Sequence, residues 1–156
     1  LALGAGPQAL EAAVAGSFMV SADNAHAAHP AHPEKYDEQN QVFMNRGVVV
    51  KGNANQKYVS DGISAAVFER LCAAAGVPTQ RFSNRSDIAG GSTLGNIVSA
   101  SASMNAVDVG LAQLAMHSAL ETMGAEDVNH LISALIAFHE AEVEVTGDGS
   151  IAVLQD

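Results

Sequence analysis

The residues best suited to chemistry gather in a polar segment that directly follows a predicted strand. The strand covers residues 17–21, and Asp23, His26, His29 and His32 come after it. Proteins of the α/β class place their sites at the carboxyl ends of strands, and Asp and His are ligand types of catalytic zinc. The segment is therefore either a metal site or a solvated loop in which histidines occur by chance, and its composition alone favours the loop.

A second candidate metal ligand, His117, lies much later in the chain. His117 and Glu121 are four residues apart, so on a helix they would share one face and could bind one metal. An acidic residue in the first helical turn often only complements the helix dipole, so Glu121 is left out of the predicted site. His117 itself stays open between a metal ligand and a surface residue.

Lys51 ends an otherwise apolar run over residues 47–51, and such a run predicts a strand that is buried on both faces. A lysine in this position either extends its ammonium to water or meets an anion. The glycine-rich turn over residues 90–93 could bind an anion through its backbone amides, although such turns also begin ordinary helices. Both features are compatible with anion binding, and neither requires it.

The elements that must position these residues alternate between strands and helices, which predicts an α/β fold. The predicted strands cover residues 17–21, 47–51, 79–82 and 107–110, and a hairpin covers 143–154 with its turn at 147–149. The predicted helices cover 8–15, a segment capped by Asp61 and ended by 76–78, a short segment over 96–102, and about 117–140 with a possible break near Gly124. The polar stretch over 24–41 is predicted to be a long functional loop.

The composition restricts the class of protein. A chain of 156 residues with 48% hydrophobic side chains is typical of one packed domain. Its net charge of −10 argues against a nucleic-acid partner, and we find no apolar run long enough for a membrane partner. The single cysteine, Cys72, fits a reducing compartment, so we expect a cytoplasmic protein.

Five sequence blocks occur together and in order along the chain. They are SADNAHAAHP (21–30), GVVVK with NANQKY (47–51 and 53–58), GSTLG (91–95), VDVG (107–110) and QLAMHS (113–118). Their combination resembles the aspartyl aminopeptidases, the M18 family of dinuclear zinc aminopeptidases. The resemblance runs over residues 16–140 and leaves a tail over 141–156 unaligned. It implies that residues 1–156 are the C-terminal portion of a metallo-aminopeptidase catalytic domain, a zinc-exopeptidase-like α/β/α fold with a mixed sheet flanked by helices.

The resemblance also implies roles for five residues. Asp23 matches a carboxylate ligand of one zinc ion, and His117 matches an imidazole ligand of the other. His26, Lys51 and Tyr58 match substrate contacts, and Lys51 is the one expected to pair with an acidic side chain. The implied activity is removal of N-terminal Asp or Glu from peptides by a water that two zinc ions activate.

Only part of such a site is expected here. The family's general base, bridging Asp and remaining zinc ligands have no counterpart in the sequence, so no catalytic residue is expected within this chain. The isolated chain is expected to be inactive and to need a missing N-terminal segment or a companion chain, and the family implies a homo-oligomer. The alternative is a non-catalytic remnant that serves as a binding or assembly module.

Overall fold

The computed structural model describes residue 4, residues 6–146 and residues 149–154. Its strands are β1 (Phe18–Ala22), β2 (Ala25–His26), β3 (Val48–Gly52), β4 (Thr79–Ser83), β5 (Asn105–Gly110), β6 (Ala112–Leu114), β7 (Thr122–Met123), β8 (Glu142–Val145) and β9 (Ile151–Leu154). Its α-helices are α1 (Pro7–Ala15), α2 (Gly62–Ala74), α3 (Leu94–Ser99) and α4 (Ala125–Glu140).

The central sheet has four strands in the order β1-β5-β3-β4. β1 runs parallel to β5 and β3 runs parallel to β4, whereas β3 and β5 are antiparallel. The predicted mixed sheet flanked by helices is confirmed, and each of the four predicted strands of this sheet forms within one or two residues of its expected bounds.

The two faces of the sheet differ because side chains alternate along each strand. Val48 and Val50 of β3 belong to an apolar cluster with Phe68 of α2 and Ala134 of α4. The opposite face carries Val49, which packs in a second cluster against Ala112 of β6, among others. Two helices therefore cover one face, while the small sheet and α3 lie on the other, where a side chain at Gly95 would meet Asp108 and Ser21.

Helix α2 begins as the sequence predicts. Asp61 is its N-cap: the Asp61 carboxylate accepts a hydrogen bond from the Ser64 amide at 2.7 Å, and the Ser64 hydroxyl accepts one from the Asp61 amide at 3.0 Å. The helix ends before Gly76, whose φ of 68° is the left-handed conformation that glycine adopts without strain. The short helix α3 begins at Leu94, two residues before the predicted start, after Thr93 as N-cap.

The prediction of a helix over about 117–140 is wrong for the residues before Gly124, the position at which the sequence indicated a possible break, and is confirmed for the residues after it. The helix α4 starts only at Ala125, and the preceding segment forms a turn and the short strand β7. Ala115 and His117 have left-handed φ values of 56° and 68°, which an α-helix does not allow. The start of α4 is held instead by Asp127, whose carboxylate accepts hydrogen bonds from the amides of Asn45 at 2.6 Å and Gly47 at 2.8 Å.

Two smaller sheets complete the described fold. The strands β2, β6 and β7 form a three-stranded sheet that the sequence did not predict, because strands of two or three residues carry no readable alternation. The strands β8 and β9 pair antiparallel, which confirms the hairpin, and residues 147 and 148 of its turn lie outside the described residues. No helix in the described part of the chain is long and apolar enough to span a membrane.

Candidate active site

The site is built around Lys51, whose side chain lies on the face of the sheet opposite α2 and α4. Only 2% of Lys51 is exposed, although it sits near the end of a strand. Its ammonium donates to the carbonyl of Asn24 at 3.2 Å, lies 3.9 Å from the Asp23 carboxylate, and is 5.3 Å from the centre of the Tyr58 ring. The lysine therefore does not extend to water, and its charge is directed into the protein.

The Asp23 carboxylate is delivered by the loop between β1 and β2. This loop passes directly over Gly110 of β5, where a Cβ atom would lie 1.8 Å from the Asp23 carbonyl oxygen. The Asp23 amide donates to the Val109 carbonyl at 2.9 Å, and the Asp23 carboxylate accepts from the Asn24 amide at 2.7 Å. A glycine after Val109 is thus required for Asp23 to reach its position beside Lys51.

His26 and His117 are brought to the same region by the small sheet. His26 ends β2 and is paired with Gln113 of β6, and His117 follows in the turn that leaves β6. His117 and Glu121 do not share a helix face: the His117 backbone amide donates to the Glu121 carboxylate at 2.5 Å. The left-handed backbone of His117 is uncommon for a residue other than glycine and is a feature enriched at functional sites.

Burial and neighbouring charges shift three pKa values in this region. Burial lowers the pKa of Lys51, opposed by the carboxylates of Asp23 and Asp108. Burial raises the pKa of Tyr58, and the same two carboxylates act in the same direction. The pKa of His26 is lowered by burial first and then by the nearby charges of His117 and Lys51. The five residues singled out from the sequence are thus electrostatically connected.

Asp108 is a member of this group that the sequence reasoning did not assign. It is fully buried on β5, and one of its carboxylate oxygens accepts from the Val59 amide at 2.6 Å and the Thr93 hydroxyl at 2.7 Å. The other oxygen has no hydrogen-bond partner among the described residues. The signal available in the sequence was a charged residue in an otherwise apolar strand, and Lys51 was singled out for the same reason.

Gln113 is a second unassigned polar residue. It is 1% exposed, and within the described part of the chain neither atom of its amide has a hydrogen-bond partner. Its position in the QLAMHS block was visible in the sequence, but its burial was not.

The donor chemistry around His117 and Asp23 fits zinc in type but not in number. Asp23 presents a carboxylate whose side chain is 61% exposed, and His117 is also exposed. Zinc in proteins takes about three or four protein donors. No group of three His, Cys, Asp or Glu side chains that could hold one ion is found among the described residues, so Asp23 and His117 can each supply only a part of a zinc site.

Two large clefts lie away from these residues. One, of about 580 Å³, lies between the ends of α2 and α4, and the other, of about 750 Å³, lies beside the loop over residues 33–41. A smaller cavity of about 210 Å³ includes His26 in its wall. The candidate site around the buried lysine therefore does not coincide with either of the larger clefts.

Comparison with known proteins decides the family. The sequence model of the family described as aminopeptidase I zinc metalloprotease (M18) matches residues 2–139. The chain belongs to this M18 family. The predicted family is therefore confirmed.

Curated M18 relatives are similar over most of this chain. The "Probable M18 family aminopeptidase 2" of Mycobacterium leprae is 48% identical over 127 residues, covering 81% of this chain and 30% of the relative. The protein of the same name from Mycobacterium tuberculosis is 46% identical over 127 residues and covers 81% of this chain and 29% of the relative. The chain thus spans less than a third of the length of these relatives.

Solved M18 structures share the fold. Ape4, from a cryo-EM structure of its complex with Nbr1, superposes with a TM-score of 0.85 at 35% identity, covering 88% of this chain and 26% of that chain. Yeast aminopeptidase 1 superposes with a TM-score of 0.74 at 27% identity, covering 83% of this chain and 28% of that chain. A further structure of yeast Ape1 is described as a dodecamer.

Proposed function

We propose that this chain is the C-terminal portion of the catalytic domain of an M18 aminopeptidase that removes N-terminal Asp or Glu from peptides. The observation that carries the proposal is the buried ammonium of Lys51, held beside Asp23 and Tyr58. Membership of the family supports peptidase activity, and the environment of Lys51 supports the preference for acidic residues.

A buried cation is costly unless an anion compensates its lost hydration. Among the described residues, Asp23 is the one carboxylate that forms an ion pair with Lys51, and the 3.9 Å separation is long for a direct hydrogen bond. If Asp23 binds a metal, its charge is shared with that metal. The ammonium of Lys51 then favours a carboxylate of the substrate as its anion, which selects Asp or Glu over a neutral first residue.

The remaining residues of the site bind and orient under this proposal. Asp23 and His117 would each hold one of two zinc ions, which when bound supply polarisation of the peptide carbonyl and a water that ionises near neutral pH. Tyr58 places its ring beside the Lys51 ammonium and limits where the substrate carboxylate can lie. His26, with its lowered pKa, offers a neutral imidazole to the peptide.

The other metal donors must come from elsewhere, since the described residues supply too few. We propose that they come from an N-terminal segment or a companion chain, and that the complete enzyme is a homo-oligomer in the cytoplasm. The isolated chain is then inactive on aspartyl and glutamyl peptides. Metal-dependent turnover of an aspartyl anilide by the isolated chain, matching that of a complete relative, would contradict this part of the proposal.

The substrate preference is tested by Lys51→Met in the complete enzyme containing this segment. The substitution keeps most of the side-chain volume and removes the charge. A charge-assisted contact in a partly dry pocket contributes about 1.5–3 kcal/mol. The ratio of kcat/KM for Asp over Leu substrates should therefore fall about 10- to 100-fold, through the acidic substrate. Metal content, measured by atomic absorption, should not change.

Lys57→Met is the matched control, because Lys57 is exposed and its charge is solvated. It should leave the Asp-to-Leu ratio as it is in the unmodified enzyme. Equal loss of activity on acidic and neutral substrates in Lys51→Met would make Lys51 structural rather than selective. A complete, metal-loaded protein without any peptidase activity would favour the alternative of an assembly module.

A further inference from the structure

A cavity of about 210 Å³ adjoins the site at His26, and none of the roles proposed above uses it. Its wall also contains Tyr36, Phe82 and Ile88, while Lys51 lies outside it. Sites for whole small molecules occupy about 300–1,000 Å³. This cavity is therefore too small for a peptide but large enough for one side chain.

Two aromatic rings connect the wall of the cavity with Lys51. Phe82 stands opposite Lys51 in the register of β3 and β4, and the Phe82 and Tyr58 rings are 6.3 Å apart. His26 lines the cavity and is electrostatically connected to Lys51. The cavity wall is thus linked to Lys51 through the Phe82 and Tyr58 rings, so the residue that follows one held at Lys51 would lie near the cavity.

The charges at the cavity are mostly compensated. Arg85, in its wall, forms two hydrogen bonds with the Asp87 carboxylate at 2.8 and 2.5 Å and donates to the Glu34 carbonyl. Lys35 also lines the cavity but is exposed, so water screens its charge. The wall also contains the uncharged polar residues Ser83 and Asn84, but its surface is mainly apolar, with contributions from Phe82 and from Ile88, which is 37% exposed. An uncharged apolar side chain therefore fits this cavity better than an acidic or basic one.

From this geometry we infer that the cavity bounded by His26, Tyr36, Phe82 and Ile88 receives the side chain of the second residue of the peptide substrate, and that it prefers a medium-sized apolar side chain such as Leu or Met. The inference rests on the proposed aminopeptidase function. It adds a specificity determinant on the leaving side of the scissile bond.

The test measures kcat/KM in the complete enzyme for the dipeptides Asp-Ala, Asp-Leu, Asp-Lys and Leu-Leu. Extra methylene groups in an apolar pocket are worth about tenfold or more each in discrimination when they are well buried. Asp-Leu should exceed Asp-Ala by about tenfold, since this cavity is partly open. Ile88→Glu should reduce that ratio to about one and should improve Asp-Lys relative to Asp-Leu. Because each comparison is a ratio within one variant, a partly unfolded preparation does not affect it.

Ile132→Glu is the matched control, because Ile132 is an exposed isoleucine on α4, and it should leave all ratios unchanged. An Asp-Leu to Asp-Ala ratio near one, or a ratio that Ile88→Glu leaves unchanged, would overturn the inference while the proposed function stands. A change in the preference for the first residue in Ile88→Glu would assign the cavity to that residue instead. Preference for Leu-Leu over Asp-Leu would overturn the acidic specificity alone, and inactivity on all four dipeptides would overturn both proposals.

Discussion

The two faces of the central sheet are formed by the same strands but differ in polarity. Beneath α2 and α4, Val48, Val50 and Phe68 form a uniformly apolar core. On the opposite face, the same strands carry Lys51 and Asp108, both buried. Apolar burial stabilises the first face without directional requirements, whereas each buried polar group on the second face needs a partner.

The two faces also differ in whether their buried polar atoms have hydrogen-bond partners. Among the described residues, the apolar face contains no buried side-chain polar atom that lacks a hydrogen-bond partner. The polar face retains an unpartnered carboxylate oxygen on Asp108 and an unpartnered amide on Gln113 among those residues, and its cation is 3.9 Å from its carboxylate. Substitutions on the first face should therefore lower mainly the free energy of unfolding. Substitutions on the second face should lower activity by more than their loss of stability explains.

Truncating the apolar face should have the largest effect on stability. Phe68 is fully buried against β3 and α4, so Phe68→Ala removes the ring and leaves a cavity. The free energy of unfolding, measured by urea denaturation, should fall by about 3–5 kcal/mol. The control is Phe43→Ala, since Phe43 is 49% exposed, and its loss should cost less than about 1 kcal/mol. Similar losses in the two variants would contradict the assignment of the core.

The buried thiol of Cys72 lies on the same face and should make the free energy of unfolding depend on pH. Burial, and to a smaller extent the charge of Glu69, raises the pKa of Cys72 from 9.0 to about 12. Because the folded pKa is the higher one, this contribution is fully present below pH 9 and is lost as the pH rises from about 9 to about 12. The loss approaches about 1.4 kcal/mol per pH unit. Cys72→Ala should show a shallower decrease in unfolding free energy over this range, and an unchanged slope would contradict the burial of the thiol.

On the polar face, Asp108→Asn should have an intermediate effect. Asp108 accepts hydrogen bonds from the Val59 amide and the Thr93 hydroxyl, and hydrogen bonds to a charged group contribute about 1.5–3 kcal/mol. The unfolding free energy should fall by about that amount. Asp87→Asn is the control, because the Asp87 side chain is 60% exposed in its pair with Arg85 and should change stability by less than about 1 kcal/mol. Equal effects would mean that the polar face is solvated.

The smallest effect is expected at the start of α2, one of the two helices that cover the apolar face. Asp61→Ala removes the N-cap hydrogen bond to Ser64 and should lower the unfolding free energy by about 1 kcal/mol. Asp61→Asn keeps an oxygen that can cap the helix and should retain most of the stability. If thermal unfolding showed the two variants to be equally destabilised, the charge of Asp61 rather than its capping bond would be responsible.

Local signals in the sequence were enough to predict the strands of the central sheet and the helix α2. The run of valines in β3 predicted a strand buried on both faces, and Val48, Val49 and Val50 are all buried. Asp61 predicted a helix start that the capping box confirms. Because these features depend on residues that are neighbours in the chain, they can be predicted from the sequence.

The segment before α4 shows where such reading fails. Residues 117–123 have helix-compatible composition, yet the backbone of Ala115 and His117 is left-handed. The start of α4 is fixed by the Asp127 carboxylate, which accepts hydrogen bonds from the backbone amides of Asn45 and Gly47, some 80 residues away in the chain. No local pattern reports an interaction between such distant segments.

The candidate site also has features that the sequence predicted and features that only the structure shows. By itself the sequence determined the family, the types of the five residues and the buried strand that carries Lys51, because residue type and spacing are local properties. Only the tertiary structure decided that Lys51 faces inward beside Asp23 and Tyr58, and that Asp108 is buried on the same face of the sheet. Burial, and the electrostatic field it strengthens, depends on which distant segments pack together, and that arrangement exists only once the chain has folded.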